Sequence, residues 1–167
     1  MKRIFLPKGD VTDLVVGEWV LLNGTIYTAR DQAHKRMVEE GIPLALEGQA
    51  IYYAGPCPAK PGQVSGPIGP TTSMRMDAFT PFLLKNGLKV MLGKGDRSPA
   101  VREAIKEYQA VYLVIVGGAG ALIADKVKKL AVIAYDDLRS EAIHCLEIED
   151  LPALVAIDSK GRSIFQK

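Results

Sequence analysis

The sequence predicts a mixed α/β fold in one domain covering residues 1–167. Two observations predict this class. In the first part of the chain, short apolar segments typical of strands alternate with amphipathic segments typical of helices, which is the order of α/β crossovers. The last part carries short apolar segments separated by turn residues, which favours further strands. The chain shows neither an internal repeat nor a linker-like stretch, so a single domain accounts for it.

The amino-terminal part predicts an arm, a strand and a helix. Residues 1–10 indicate an arm or an edge segment, and residues 18–27 indicate a strand or a hairpin around the N-G pair at 23–24. Residues 28–31 read T-A-R-D, which is the S/T-x-x-acid pattern of a helix start. Apolar residues then recur every four positions, and Gly41 is expected to end the helix.

The middle of the chain predicts three strands and two helices. They are, in order, a strand at 50–54, a helix from 72–73, a strand at 88–92, a helix from 98–99 and a strand at 110–116. Thr72 or Ser73 can cap the first helix, and Pro81 makes that helix short or kinked. Ser98 at the cap followed by Pro99 is a strong start for the second helix. The last strand is continuously apolar, as in a strand that is buried on both faces.

The carboxyl-terminal part predicts a turn, a helix and further strands. The G-G-A-G sequence at 117–120 predicts a tight turn into a helix that runs through Ala124 and Val127. The remaining predicted elements are strands at 131–133, 143–148 and 153–157, and a hairpin turn at 158–161 that leads into 163–165.

Composition excludes several classes of function. With 48% hydrophobic and 24% charged residues, the chain has the balance of a soluble globular protein. The net charge of +2 comes from mixed signs, and no basic stripe indicates a nucleic-acid partner. No apolar run reaches the roughly 18 residues that span a bilayer, so we expect no membrane association.

The chain contains two cysteines and two histidines, which limits its metal and redox chemistry. Cys57 and Cys145 lie far apart in sequence, and no C-x-x-C pair is present. We therefore expect no disulfide framework, no metal ligands and no iron–sulfur cluster held by this chain alone. A reducing, cytoplasmic location is the default for such a sequence. Cys57 is predicted to be a packed loop thiol and Cys145 a core residue.

The segment 55–73 is the most informative loop of the chain. It contains five prolines and four glycines in 19 residues. Proline fixes φ and glycine permits close approach of the backbone, so the loop is expected to have a fixed shape around a ligand or a partner. A long ordered loop of this kind is usually functional.

Three basic side chains, Arg30, Arg75 and Lys94, are predicted to lie just after strands, at or near helix starts. In open α/β sheets, ligands bind outside the carboxyl ends of the strands. Three cations at such ends suit a ligand with more than one carboxylate or phosphate. Each residue, taken singly, is also consistent with a surface cation or a structural ion pair.

Three segments carry a resemblance to a known family: T-A-R-D-Q-A-H-K-R at 28–36, Y-Y-A-G-P-C-P-A-K-P-G-Q-V-S-G-P-I-G-P-T-T-S-M-R-M-D at 52–77, and G-K-G-D at 93–96. They resemble the beta subunit of class I, iron–sulfur-dependent fumarate hydratase, a family that includes the tartrate dehydratase beta subunit. The resemblance extends from about Gly17 to about Gly161. It implies a swivelling β/β/α domain and a hydro-lyase of the tricarboxylic acid cycle that interconverts fumarate and malate.

The resemblance also implies how the work is divided between subunits. The [4Fe–4S] cluster would be bound by a separate alpha subunit, and this chain would close the site from the other side in a hetero-oligomer. By position, Arg30, Arg75 and Lys94 are expected to bind substrate carboxylates. Thr71 matches the threonine cast as the group that abstracts a proton next to a carboxylate.

Several alternatives remain open at this point. Thr71 is also consistent with a helix cap or a hydrogen bond to substrate, and Asp96 is expected to orient Lys94 or Arg97. His34, on the first helix, is expected to have a surface or supporting role. Tartrate is an alternative substrate, and a stand-alone anion-binding or regulatory domain is an alternative function.

Overall fold

The computed structural model describes residues 1–115 and 120–166, so residues 117–119 of the predicted glycine-rich turn lie outside the described residues. Seven strands are present in this part of the chain: β1 (Lys2–Leu6), β2 (Trp19–Thr28), β3 (Ala50–Tyr52), β4 (Val90–Gly93), β5 (Val111–Val114), β6 (Val127–Ala134) and β7 (Ile143–Ile157). The α-helices are α1 (Asp31–Glu40), α2 (Thr80–Lys85), α3 (Pro99–Tyr108) and α4 (Gly120–Ala124). Short 3₁₀ segments cover Ser73–Met76 and Asp136–Glu141.

The strands form one sheet with a parallel and an antiparallel part. Strands β1 to β5 are parallel and neighbour one another in chain order. The long strand β7 runs antiparallel to β2, β5 and β6. Because β7 pairs with both β2 and β5, the five strands β2, β3, β4, β5 and β7 form a closed ring of pairings.

Alternating side chains divide the core into two halves. Along β3, Tyr52 packs in one hydrophobic cluster with residues of β1, β2 and β7, whereas Ile51 and Tyr53 pack in the other. The second cluster contains the buried faces of α1, α2 and α3. Successive residues of a strand point to opposite faces, so one face of the sheet lines the first cluster and the other face packs against the helices. The predicted mixed α/β class, with β/β/α layering, is confirmed.

The hairpin predicted around residues 23–24 is wrong, because Asn23 and Gly24 lie inside β2. Asn23 instead uses its side chain across the sheet: its amide nitrogen lies 3.0 Å from the Asp150 carboxylate, and its amide oxygen accepts the Asp150 N–H at 3.0 Å. The register of β2 against β7 shifts between Leu22 and Gly24. The N-G pair therefore marks a bulge and not a turn.

The carboxyl-terminal strands also differ from the prediction. Residues 143–157 form a single strand, although Asp150 has a φ of 50° and Pro152 lies within it. The side chain of Asn23 bonds the backbone at the bend, so pairing with β2 continues past it. Val127 begins β6 and does not continue α4. The turn at 158–161 is present, but it leads to a single bridge between Ile157 and Ser163 and not to a strand.

The start of α3 agrees with the prediction, whereas the start of α1 does not follow the predicted capping pattern. Ser98 caps α3 as predicted, and its Oγ accepts the Val101 N–H at 3.3 Å. The capping pattern at 28–31 is misleading, because Thr28 is a buried residue of β2 and Arg30 is the N-cap of α1 without a capping side chain. Gly41 ends that helix as predicted.

Residues 2–6 form an edge strand that pairs in parallel with β2, as the edge-segment interpretation expected. Across the described ranges, every helix is too short or too polar to cross a bilayer.

Candidate active site

The backbone places Arg30, Thr71 and Lys94 at the carboxyl ends of β2, β3 and β4. Arg75 does not directly follow a strand as predicted, because it lies in the 3₁₀ segment Ser73–Met76 after the long loop. Arg30 follows β2, and Lys94 follows β4 directly. After a long loop, the chain returns so that the Thr71 N–H donates to the Tyr53 carbonyl at 2.7 Å. The Lys94 N–H donates to the Thr71 carbonyl at 3.3 Å, and the Ser73 N–H donates to the Lys94 carbonyl at 2.9 Å. The loop end that carries Thr71 is thus paired with the residue that follows β4.

The chain can return to this position because Gly93 has no side chain and Ser73 has a small one. A Cβ on Gly93 would collide with the Ser73 hydroxyl and would lie 2.8 Å from the ring of Tyr53. The Tyr112 hydroxyl lies 2.7 Å from both Ser73 Oγ and the Gly95 carbonyl; it donates to the carbonyl and accepts from the serine. Ser73 is therefore fixed beneath the site by β4 and β5 together.

A buried ion pair joins the two segments that carry Arg75 and Lys94. The side chain of Arg97 is fully buried, and its Nε donates to Asp77 Oδ1 at 2.7 Å. The other oxygen of Asp77 accepts the Ser98 N–H at 2.7 Å. Because Asp77 follows the 3₁₀ segment and Arg97 and Ser98 precede α3, this carboxylate connects the two segments directly.

The surroundings of Arg97 support its charge. Its Nη2 donates to Thr80 Oγ1 at 2.9 Å and to the Tyr53 hydroxyl at 3.2 Å, and its guanidinium lies 4.8 Å from the ring centroid of Tyr112. Burial by itself lowers the pKa of Arg97, but the polar and aromatic neighbours, Asp77 included, hold that pKa above its ordinary value. Arg97 is therefore a charged structural residue beneath the site.

Arg75 is partly engaged by the protein itself. Its Nε and Nη2 each lie 3.1 Å from Asp31 Oδ2, at the first position of α1. Its side chain remains 53% exposed, so one side of the guanidinium faces solvent. Lys94 is exposed and forms no ion pair within the described part of the chain.

Arg30 lies between these groups and the protein interior. It is half-buried, and its Nε is buried without a hydrogen-bond partner among the described residues. A Cβ on Gly55 would lie 3.3 Å from Arg30 Cδ and 2.8 Å from the Ser140 carbonyl oxygen. Glycine at position 55 therefore gives the Arg30 side chain its path along the surface of the loop.

Thr71 is half-buried, and in the described residues its hydroxyl has no protein partner. The helix-cap interpretation of Thr71 is wrong, since Thr72 is the N-cap of the 3₁₀ segment and even its side chain makes no capping bond. The Asp96 carboxylate accepts a hydrogen bond from the backbone N–H of Arg97 at 2.6 Å. Asp96 thus contacts the main chain of Arg97.

His34 is fully buried, so the surface role considered for it is wrong. Its Nδ1 lies 2.8 Å from the Arg30 carbonyl oxygen, and its ring packs against Tyr53 and Phe79. Burial, with a contribution from Arg97, lowers the pKa of His34 to about 4. His34 is therefore neutral near pH 7.

The cysteines were also misjudged from sequence. Cys57 is exposed in the proline-rich loop and is not packed, and Cys145 on β7 is partly exposed. Partial burial of the Cys145 thiol, with a contribution from the Glu147 carboxylate, raises the pKa of that thiol. Over residues 1–115 and 120–166, no group of three His, Cys, Asp or Glu side chains is placed to hold a metal ion.

Sequence reasoning missed the residues that support the site. Asp77 ends the T-T-S-M-R-M-D segment and was treated as part of a motif, although its two oxygens connect two loops. The sequence predicts only that Tyr53 and Tyr112 lie in strands, whereas the structure shows their hydroxyls hydrogen-bonded beneath the site. A signal was available for Asp31, because an acidic residue directly after Arg30 lies at the same helix start as the predicted cation.

The sequence matches the family described as Fumarase C-terminus over residues 3–167. The chain belongs to this family. The predicted resemblance is confirmed.

Individual relatives fall into two groups. The class I aerobic fumarate hydratase of Salmonella typhimurium is 41% identical over 153 residues, which cover 87% of this chain and 26% of that protein. The putative L(+)-tartrate dehydratase subunit beta of Methanocaldococcus jannaschii is 39% identical over 97% of this chain and 89% of its own length. The L(+)-tartrate dehydratase subunit beta of Escherichia coli is 34% identical over 99% of this chain and 87% of its length. The chain thus spans about a quarter of the fumarate hydratases it matches and nearly all of the tartrate dehydratase subunits.

We predict that Asp77→Asn destabilises the protein strongly. Removing the charge leaves the buried Arg97 without its counter-ion, which costs roughly 3 kcal/mol or more for a buried pair. The same chemical change at Asp137, whose partner Arg36 lies at the surface, should leave the urea unfolding midpoint nearly unchanged. Equal midpoint shifts for Asp77→Asn and Asp137→Asn would show that the buried ion pair contributes no more to stability than the surface ion pair.

We also predict an acid-sensitive contribution from His34. Its pKa is about 4 in the folded protein and about 6.5 in an unfolded chain, so between these values only the unfolded chain binds the proton. Stability is therefore lost as pH falls, by about 2 kcal/mol from pH 7 to pH 5. His34→Phe has no titrating group at this position. The unfolding free energy of wild type minus that of His34→Phe should therefore fall by about 2 kcal/mol from pH 7 to pH 5. A difference that stays constant between pH 7 and pH 5 would refute the lowered pKa of His34 in the folded protein.

Proposed function

We propose that this chain is the beta subunit of a [4Fe–4S]-dependent hydro-lyase that interconverts fumarate and malate together with an alpha subunit. The observation that carries the proposal is that Arg30, Lys94 and Thr71 lie at the carboxyl ends of three adjacent parallel strands. Arg75 lies beside them, bound to Asp31 at the start of α1. Several cations and a free hydroxyl at one edge suit a small dicarboxylate. The names of the relatives, fumarate hydratase and tartrate dehydratase, support a hydro-lyase.

The cations have different tasks in this proposal. Arginine binds a carboxylate through two parallel hydrogen bonds, whereas lysine acts as a point charge. Arg75 has its Nε and one Nη on Asp31, which fixes its position and leaves its other edge for substrate. Arg30 and Lys94 have no ion-pair partner within the described residues and are available to a carboxylate.

We assign proton transfer next to a substrate carboxylate to Thr71. Its hydroxyl is free of protein partners in the described residues, and its backbone is paired with that of Lys94. A threonine alkoxide is costly at neutral pH, and nearby cations reduce that cost. The alternative is that Thr71 only donates a hydrogen bond to the substrate.

The cluster does not fit this chain. An iron–sulfur cluster is held by several cysteine thiolates, whereas this chain has two cysteines, one exposed in a loop and one on β7. The alpha subunit is therefore proposed to bind the cluster. The present chain contributes carboxylate binding and proton transfer, and the proline-rich loop that carries Thr71 is the proposed contact with the alpha subunit.

Dehydration of tartrate is the second candidate. The observation in its favour is the match in length, because the relatives named tartrate dehydratase subunit beta align over nearly their whole chains. Fumarate and tartrate both present two carboxylates, so the three cations suit either substrate.

The experiment is anaerobic co-expression of the chain with its alpha subunit, followed by assays on fumarate and on tartrate. The complex should hydrate fumarate, and the chain purified alone should show neither turnover nor iron–sulfur absorbance. Turnover of tartrate in place of fumarate would select the second candidate. Binding of a dicarboxylate without turnover by an intact, cluster-loaded complex would favour an anion-binding or regulatory domain and would refute the hydro-lyase.

The same assay separates binding from chemistry. Arg30→Ala removes a charge partner of a carboxylate, which costs roughly 2–5 kcal/mol, or about 30- to several-thousand-fold in kcat/KM. Thr71→Val should lose kcat while the complex still binds succinate, a dicarboxylate that cannot react. The adjacent Thr72→Val is the matched control and should keep normal turnover, since the Thr72 side chain makes no capping bond. Near-normal turnover by Thr71→Val would exclude its role in proton transfer.

A further inference from the structure

The imidazole of His34 makes an unusual contact at the start of α1. The Arg30 carbonyl accepts two hydrogen bonds from this one residue, from the His34 backbone N–H at 3.0 Å and from Nδ1 at 2.8 Å. The backbone bond is the ordinary first bond of the helix. The side-chain bond is additional, and it fixes the peptide unit that follows Arg30 from inside the protein.

The ring of His34 is itself held in one orientation. It packs edge-on against Tyr53, with ring centroids 5.4 Å apart, and against Phe79 at 6.1 Å. Burial keeps the imidazole neutral near pH 7, and a carbonyl accepts only from a protonated nitrogen. The proton of the neutral ring therefore resides on Nδ1, and Nε2 is unprotonated.

Packing does not explain a histidine at this position. Nε2 is buried and has no hydrogen-bond partner in the described part of the chain. A buried polar atom without a partner costs roughly 1–3 kcal/mol, and phenylalanine or leucine would avoid that cost. The useful feature of the imidazole is therefore its Nδ1–H.

The Arg30 side chain is sensitive to the direction of its own backbone. Arg30 has extended backbone angles at the N-cap, and no side chain caps the helix there. Its Cδ lies close to Gly55, beside the Ser140 carbonyl, and its Nε is buried. A small rotation of the Arg30 peptide would move the guanidinium against these two backbone segments, and a displacement of about 1 Å in a positioning group costs on the order of 100-fold in rate.

We propose that His34 is a positioning residue for Arg30: its Nδ1–H holds the Arg30 carbonyl and so directs the guanidinium towards the substrate carboxylate. This inference rests on the proposed function, in which Arg30 binds that carboxylate. His34 touches neither substrate nor the reacting atoms, and it acts through Arg30.

The test uses the complex with the alpha subunit and three variants at one position. His34→Phe keeps a ring but has no donor, His34→Leu removes the donor with a smaller side chain, and His34→Asn places an amide N–H close to the position of Nδ1. The probe is succinate, whose Kd is measured beside KM and kcat for fumarate. His34→Phe and His34→Leu should weaken succinate binding and raise KM roughly 10- to 100-fold. His34→Asn should recover most of the affinity.

A double mutant distinguishes positioning from general destabilisation. In an Arg30→Ala background, His34→Phe should have no further effect on the Kd of succinate, because the group that it positions is gone. Urea unfolding of each variant shows whether stability changes, and a structural role would lower stability without this dependence on Arg30. Equal succinate affinity in wild type, His34→Phe and His34→Leu would overturn the proposal, as would an undiminished effect of His34→Phe in the Arg30→Ala background. If Arg30→Ala leaves succinate binding unchanged, the carboxylate-binding role of Arg30 fails, and this inference fails with it.

Discussion

The arrangement of the site depends on the buried ion pair between Arg97 and Asp77. Each oxygen of the Asp77 carboxylate has a partner at 2.7 Å, one on the Arg97 side chain and one on the Ser98 backbone. Removing both charges from water costs free energy. The attraction between the two charges and their complete set of hydrogen bonds offset this cost. Its consequence is geometric: the segment that ends in Asp77 and the segment that begins at Lys94 cannot move independently.

A second constraint is the distribution of charge above this pair. Arg97 is buried and paired with Asp77, whereas Arg75 is paired with Asp31 but remains 53% exposed, and Lys94 is exposed without an ion pair among the described residues. Positive charge available to a ligand therefore increases from the interior towards solvent. Asp31 holds Arg75 at the same helix start that carries Arg30, and Asp77 joins the segment of Arg75 to the segment of Lys94.

The positions of several candidate site residues in the fold could be predicted from sequence because the signals for them are local. A cation directly after a predicted strand, or a Ser-Pro pair at a helix start, depends on neighbouring residues alone, and Arg30, Lys94 and Ser98 all lie where the sequence places them. The supporting residues depend on contacts that are distant in sequence. Nothing near Asp77 indicates that it binds Arg97, 20 residues later in the chain. Nothing near Asn23 indicates that it bonds a bend in a strand 127 residues away.

In the proposed complex, Arg30, Thr71, Arg75 and Lys94 face one dicarboxylate at the contact with the partner subunit. A crystal structure of the anaerobic complex with bound succinate tests this arrangement most directly. We expect succinate carboxylate oxygens within hydrogen-bond distance of the Arg30 guanidinium and the Lys94 ammonium. Thr71 Oγ1 should lie about 3–3.5 Å from the carbon next to one carboxylate. Succinate bound away from these side chains, or an alpha subunit seated on the opposite edge of the sheet, would contradict the account.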